Sequence, residues 1–176
     1  MVDSHPQRAK RLLESGEEVD QFRIQRLIGR GGMAEVYLAR DGQLGRKVAL
    51  KIYRPNLLEG IDALQKFIEE GLVTARFNHP HIITIYSVGE HRGLPYLALE
   101  YLEGHTLRDR MTREGFSARE TARLGMAIAD ALDEAHRHKV FHRDLKPANV
   151  FLPSDGRLRV LDFGIAKAIG TGETPI

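Results

Sequence analysis

Hydrophobic residues change their spacing several times along the chain, and each change marks an element. From Phe22 to Ile28 apolar and polar positions largely alternate, which predicts a strand. The turn Gly29-Arg30-Gly31-Gly32 follows, then a second strand over 34–40. Asp41-Gly42 is a turn signal, and a third strand is predicted over 46–53. In 61–77 the apolar residues Ile61, Leu64, Ile68, Leu72 and Ala75 recur every three or four positions, so this stretch predicts a helix. Asn78-His79-Pro80 stops it, because proline disfavours helical geometry in the residue before it. Two more strands, 82–88 and 94–99, join through 89–93. The expectation is an α+β chain that opens with a five-stranded antiparallel sheet and one main helix.

The second half reads as mainly helical. Thr106 caps a short helix reaching Arg113. Ser117, with Glu120 three residues on, is a capping-box signature opening a long helix to His138. That helix carries one apolar stripe of Leu124, Ile128, Leu132 and Ala135 and another of Ala122, Met126 and Ala129. Two stripes predict burial on more than one face. A small hairpin, 150–152 with 158–160 around Ser154-Asp155-Gly156, should set Asn149 and Asp162 at neighbouring strand ends. Residues 1–20 are polar, with Leu12 and Leu13 as the only anchors of a short helix over 9–14. They are expected to be a loosely packed lead-in.

Composition narrows the class without naming a function. A length of 176 residues fits one domain, and 42% hydrophobic with 28% charged residues is ordinary for a globular chain. The net charge of +2, with both signs interspersed, gives no case for nucleic acid as a partner. With no cysteine, disulfides and thiolate metal sites are excluded. No apolar run approaches the length of a membrane span and no signal-peptide core opens the chain, so a soluble, cytoplasmic protein is expected.

Candidate chemistry sits on four of these elements. The glycine turn lies between two strands, not between a strand and a helix, so it lacks the context of a dinucleotide site. Its glycines would let backbone N–H groups approach a phosphate, although a tight structural hairpin explains them equally well. Strand alternation places Lys51 with Ala49 and opposite Leu50 and Ile52, either snorkelling or facing a charged partner. Of the two acids on the helix, Glu70 shares a face with Phe67, Thr74 and Phe77, whereas Glu69 neighbours Gln65 and Lys66. Lys51 by itself favours snorkelling, and Glu70 is the better placed of the two acids should it face a charged partner. Asp144, Asn149 and Asp162 offer the hard oxygens that suit Mg²⁺ beside phosphates. His79, His81, His136 and His138 read as loop-capping or surface groups.

The stretches HRDLKPAN, His142–Asn149, and LDFG, Leu161–Gly164, resemble the catalytic loop and metal motif of protein kinases. IGRGGMAEV is similar to the family's glycine-rich loop, departing at Ala34 where a third glycine would stand, and VALK ends on Lys51 like the family's lysine strand. Six signals in the family's order, from the glycine loop through Glu70 and the hinge to DFG, cover residues 22 to about 170. The resemblance implies ATP and Mg²⁺ (with Mn²⁺ as a substitute ion) and protein substrates with Ser/Thr acceptors. In that resemblance Asp144 takes the proton of the acceptor hydroxyl, and Lys146, Lys51 and Glu70 complete the catalytic set. Asn149 and Asp162 would hold the metal. The nucleotide would lie against Ile28, Gly29, Arg30, Gly31, Gly32, Val36, Ala49, Lys51, Leu99, Glu100, Leu102, Phe151 and Leu161. The implied organisation is a lead-in over 1–20, a small lobe over 21–99, a hinge over 100–104, and an incomplete, mainly helical large lobe over 105–176. Lys146 resembles the serine/threonine class, as the run GRGGMAEVYLAR resembles its bacterial branch, and LKPAN disfavours a sugar or antibiotic phosphotransferase. Arg143 resembles the receptor for an activation-loop phosphate, with Thr171 and Thr174 as candidate acceptors. Because the family's pattern continues beyond Ile176, a truncated kinase is expected. The alternative reading is a nucleotide-binding fragment with little activity of its own.

Overall fold

The computed structural model describes residues 11–54, 63–76, 78–113 and 115–163; the side chains of Ala63, Lys66, Glu70 and Val73 lie outside the description. In chain order the elements are β1 (Glu18–Val19), β2 (Phe22–Arg30), β3 (Ala34–Asp41), β4 (Lys47–Tyr53) and α1 (Ala63–Ala75). There follow β5 (Ile85–His91), β6 (Leu94–Glu100), β7 (Gly104–Thr106), α2 (Leu107–Met111), α3 (Ala118–Arg137), β8 (Val150–Pro153) and β9 (Arg159–Val160). The first six strands form one antiparallel sheet in the order β1-β2-β3-β4-β6-β5. The last three form a second sheet, β7-β8-β9. The two-residue strand β1 is the addition to the expected five.

Alternation along β4 decides what each face of the large sheet does. Leu50 and Ile52 are buried on one face with Tyr37, Phe22, Ile24 and Tyr96. On the other, Tyr53 joins Phe67 of α1, the two rings meeting edge to face at 4.9 Å. Lys51 lies on that second face. The third apolar cluster binds α3 to the small sheet through Ala131, Ala135, Val150, Leu158 and Val160.

Three expectations are corrected. Residues 11–14 are not helical, and this part of the lead-in is tightly packed. The Leu12 amide donates to the Glu35 carboxylate and the Leu13 amide to the Tyr37 hydroxyl, both at 3.0 Å. Leu13 fills the outer apolar cluster at 3% exposure. A helix needs these amides for its own carbonyls; here side chains of β3 take them. Second, β5 begins at Ile85, not Ile82, because Ile82 bridges Val160 in parallel fashion across to the second sheet. Third, α3 buries only one of its two stripes. Ala122, Met126 and Ala129 are exposed, since no described element packs against that face.

Both helix starts carry the expected caps. Thr106 and Asp109, and Ser117 and Glu120, exchange side-chain and backbone hydrogen bonds as full capping boxes. α3 ends without a glycine: Lys139 takes φ +59°, and its amide and that of Val140 return to the carbonyls of His136 and Ala135.

Candidate active site

Register across three strands assembles the upper half of the site. Val36 on β3 pairs with Gly29 on β2 and with Lys51 on β4. The glycine turn, Val36 and the lysine therefore form a row across the sheet. The turn closes through Gly31 N–H donating to the Ala34 carbonyl at 2.9 Å, and the Arg54 amide donates to the Met33 carbonyl at 3.0 Å.

The lower half comes from the loop after α3. His142 is buried; its Nε2 contacts the Leu161 carbonyl at 2.7 Å and its Nδ1 faces the Asp144 amide at 3.3 Å. Since an amide only donates, these two bonds assign the imidazole proton to Nε2. The ring also lies 4.9 Å from that of Phe163. One histidine thus fixes both HRD and DF. Arg143 and Asp162 adopt left-handed backbone at φ +59° and +55°, a conformation that non-glycine residues hold only when their surroundings impose it.

Around Asp144 the polar groups interlock. Lys146 Nζ is 2.6 Å from its carboxylate, and Asn149 Nδ2 donates to its backbone carbonyl at 2.9 Å and its carboxylate at 3.3 Å. Asn149 spends its N–H donors on Asp144, so its side-chain carbonyl oxygen is the atom suited to a cation. The Leu161 amide donates to the Asn149 carbonyl at 2.8 Å, which holds Asp162 beside it as the small hairpin requires. Two oxygen donors, one an anion, fit a hard divalent cation that keeps water and takes phosphate oxygens as its other ligands.

Between the halves lies a cavity of about 770 Å³, walled by Gly29 to Ala34, Val36, Lys51, Tyr53, Asp144, Lys146, Asn149 and Asp162 among others. Lys51 Nζ meets Asp162 Oδ1 at 2.5 Å. Burial alone would push the ammonium toward neutrality, but the Tyr53 oxygen and the Asp162 carboxylate outweigh it and raise the lysine's pKa. Burial likewise raises the Tyr53 phenol.

Most of the phosphate-side residues expected from sequence meet at this cavity. Ile28, Ala49, Leu99, Glu100, Leu102, Phe151 and Leu161 lie outside its walls. Ala49 and Leu99 are adjacent partners on β4 and β6. The Glu100 carboxylate accepts from the Thr84 amide at 3.0 Å and pairs with Arg159 at 3.2 Å, linking the two sheets. Phe67 and Thr74, three residues before and four after Glu70, are both buried, while Glu69 is exposed and bonded to Gln65. The Lys51–Glu70 pairing, Gly164, Thr171 and Thr174 lie outside the described residues. His79 caps its loop by accepting from the His81 amide at 3.2 Å and facing Asp130, and His81 contacts the Leu158 carbonyl.

Two residues, one in the site and one behind it, escaped the sequence reading. Tyr53 is two positions from Lys51, so alternation alone puts it on the lysine's face. Glu35 shares its face with Tyr37, and an acid on an apolar face must find partners. It has four: Tyr37, Leu12, Arg54 and Arg30. Burial pushes the Glu35 carboxyl up, but these hydrogen bonds and the two arginines win and hold it below its usual range.

The protein kinase domain family matches residues 22–175. The probable serine/threonine-protein kinase PknB of Bifidobacterium longum is 40% identical over 159 residues, covering 85% of this chain and 23% of that protein. The serine/threonine-protein kinase PrkC of Bacillus subtilis is 38% identical over 152 residues, covering 86% and 24%. Among solved structures, the PknI kinase domain of Mycobacterium tuberculosis superposes with a TM-score of 0.80 at 34% identity, covering 87% of this chain and 63% of that one. The chain thus spans about a quarter of the length of these curated relatives. No helix among the described residues is long and apolar enough to cross a membrane.

Proposed function

Because the chain belongs to the protein kinase family, we propose that its site transfers the terminal phosphoryl group of ATP to serine or threonine hydroxyls of protein substrates. The observation that carries this reading is the convergence of Lys51, Asp144, Lys146, Asn149, Asp162 and the glycine turn on one cavity. Catalysis of this transfer is mostly positioning and charge stabilisation, because little covalent chemistry falls to the protein.

In this reading the hydroxyl oxygen of the acceptor forms the new bond to phosphorus as the bond to the leaving diphosphate breaks. Asp144 takes the hydroxyl proton. Lys146, at 2.6 Å from that carboxylate, holds it in place and presents a cation toward the phosphate. Lys51 holds the inner phosphates and is itself placed by Asp162, with Glu70 as its partner from α1. The backbone of Gly29, Arg30, Gly31 and Gly32 covers the phosphates. Ile28, Val36, Ala49, Leu99, Phe151 and Leu161 would enclose the base, with backbone groups of Glu100 and Leu102 bonding its edge. Mg²⁺, held by Asn149 and Asp162, would supply neutralisation of the phosphate charge, and Mn²⁺ would substitute.

The test is transfer of labelled terminal phosphate to a generic basic protein. Asp144→Asn should lower the rate by about 10²- to 10⁴-fold, the usual contribution of a general base. Equal rates would remove Asp144 from its role. Mg-ATP should raise the melting temperature of the wild type by linkage, and Asp162→Ala should abolish that rise. A rise without transfer would favour a nucleotide-binding role instead.

A further inference from the structure

The mechanism uses one face of the glycine hairpin; the other face holds a second constellation. Glu35 is fully buried on the outer side of β3, directly opposite Arg30 in the β2–β3 register. Its Oε1 is 3.0 Å from Arg30 Nε and 2.9 Å from an Arg54 guanidinium nitrogen. Its Oε2 accepts from the Leu12 amide at 3.0 Å and from the Tyr37 hydroxyl. Three of these four partners lie outside β3. Arg30 sits in the glycine turn, Arg54 follows the strand that carries Lys51, and Leu12 belongs to the N-terminal segment.

That segment is fastened independently of Glu35. Leu13 is buried against the apolar outer face, the Ser15 hydroxyl donates to the Gln25 carbonyl at 2.8 Å, and the Gly16 amide donates to the Ile24 carbonyl at 2.8 Å. It therefore lies as a strap along β2, the strand that leads into the turn. A carboxylate with no solvent access needs every one of its donors. Removing the strap would take one donor from Glu35 and admit water beside the rest.

We propose that Glu35 is a positioning residue through which the N-terminal segment, residues 11–16, sets the rigidity of the glycine turn and hence its grip on phosphate. Whatever binds or displaces the segment then regulates the site from the far side of the sheet. The last clause rests on the nucleotide-binding reading above; the coupling of strap to turn does not.

Hydrogen exchange of the whole chain without nucleotide tests the coupling. Glu35→Gln keeps the shape but removes the charge, Arg30→Ala releases the turn without touching the core, and Leu13→Ala loosens the strap. Each should speed exchange of amides 29–36 by about tenfold, the loss of one charge-assisted hydrogen bond, with α3 unchanged. Each should weaken Mg-ATP binding by a similar factor, read against Asp162→Ala as the non-binding reference. If Leu13→Ala speeds exchange only within 11–19, or speeds α3 equally, the proposal is overturned. If the wild type binds no Mg-ATP, the nucleotide reading fails while the exchange result still decides the coupling.

Discussion

Lys51 on β4 and Asp162 after β9 are 111 residues apart in sequence and 2.5 Å apart at their charged atoms. The pair joins the two sheets at the floor of the cavity. Glu100 with Arg159, at 3.2 Å, joins them again at the end of β6. Two ion pairs therefore tie the sheets together beside the backbone bonds of His81 and Ile83 to Val160, and each has one member on β9 or just after it.

A double-mutant cycle over Lys51→Met and Asp162→Ala should report this link. Asp162 keeps 36% of its side chain exposed, so solvent weakens the attraction. The expected coupling is about 1–2 kcal/mol, below that of a fully buried pair. Urea unfolding of the four proteins measures it, and additive effects would refute the link.

Stability should hold a plateau in pH with a shoulder at each end. Glu35 and Asp41 have folded pKa values below their ordinary 4.5 and 3.8. For Asp41, burial opposes this, and the amides of Leu44 and Gln43 with Arg46 overcome it. A depressed carboxyl contributes stability above its unfolded value and loses it as pH falls through the folded one. Melting temperature should accordingly decline below about pH 4.5, and less steeply in Glu35→Gln. At the alkaline end, burial and the Glu35 hydrogen bond push Tyr37 from 10.0 up to about 12. A raised phenol contributes stability below its unfolded value, and that is lost as pH climbs through 10 toward 12. Tyr37→Phe should remove part of this alkaline decline.

Tyr53 separates packing from chemistry. Tyr53→Phe preserves the edge-to-face contact with Phe67 and removes only the hydroxyl beside Lys51. Stability should fall by no more than about 1.5 kcal/mol, the net worth of one hydrogen bond, while Mg-ATP affinity changes several-fold. Tyr53→Ala should cost about 3–5 kcal/mol, as for other buried aromatics. Calorimetry and nucleotide titration together check both. An unchanged affinity in Tyr53→Phe would leave the hydroxyl without a role at the lysine.

Gly104 opens β7 at a position no other residue fits. Its φ is +153°, and an added Cβ would stand 2.3 Å from the Leu152 carbonyl oxygen, a backbone atom that cannot swing away. Gly104→Ala should destabilise by about 3 kcal/mol or more, at or beyond the upper end of ordinary overpacking. Gly93→Ala, also at positive φ but in open space, should cost about 1–2 kcal/mol from the backbone alone. Comparable losses in the two would contradict the role of the β7–β8 approach.

Much of this architecture was legible in the residues. Alternation in 46–53 put Lys51 opposite Leu50 and Ile52, and the cap at Thr106 and the capping box at Ser117 named the helix starts to within one residue. These are local signals, set by backbone geometry and by amides that need a partner within one turn. The lead-in failed for the opposite reason. Leu12 and Leu13 have amides that bond 23 and 24 residues away, and nothing nearby in sequence announces such partners.

By itself, the sequence determined the order of the longer strands and helices, the caps, the motif residues and hence the family. All of these are carried by spacing along the chain. Tertiary structure alone decided that Lys51 meets Asp162, that His142 orients both Asp144 and the Leu161–Phe163 segment, and that Glu35 gathers two arginines and the N-terminal segment. Each of those depends on distances between elements. Such distances are set by how apolar faces close-pack, and a hydrophobic pattern specifies which faces are buried but not against what.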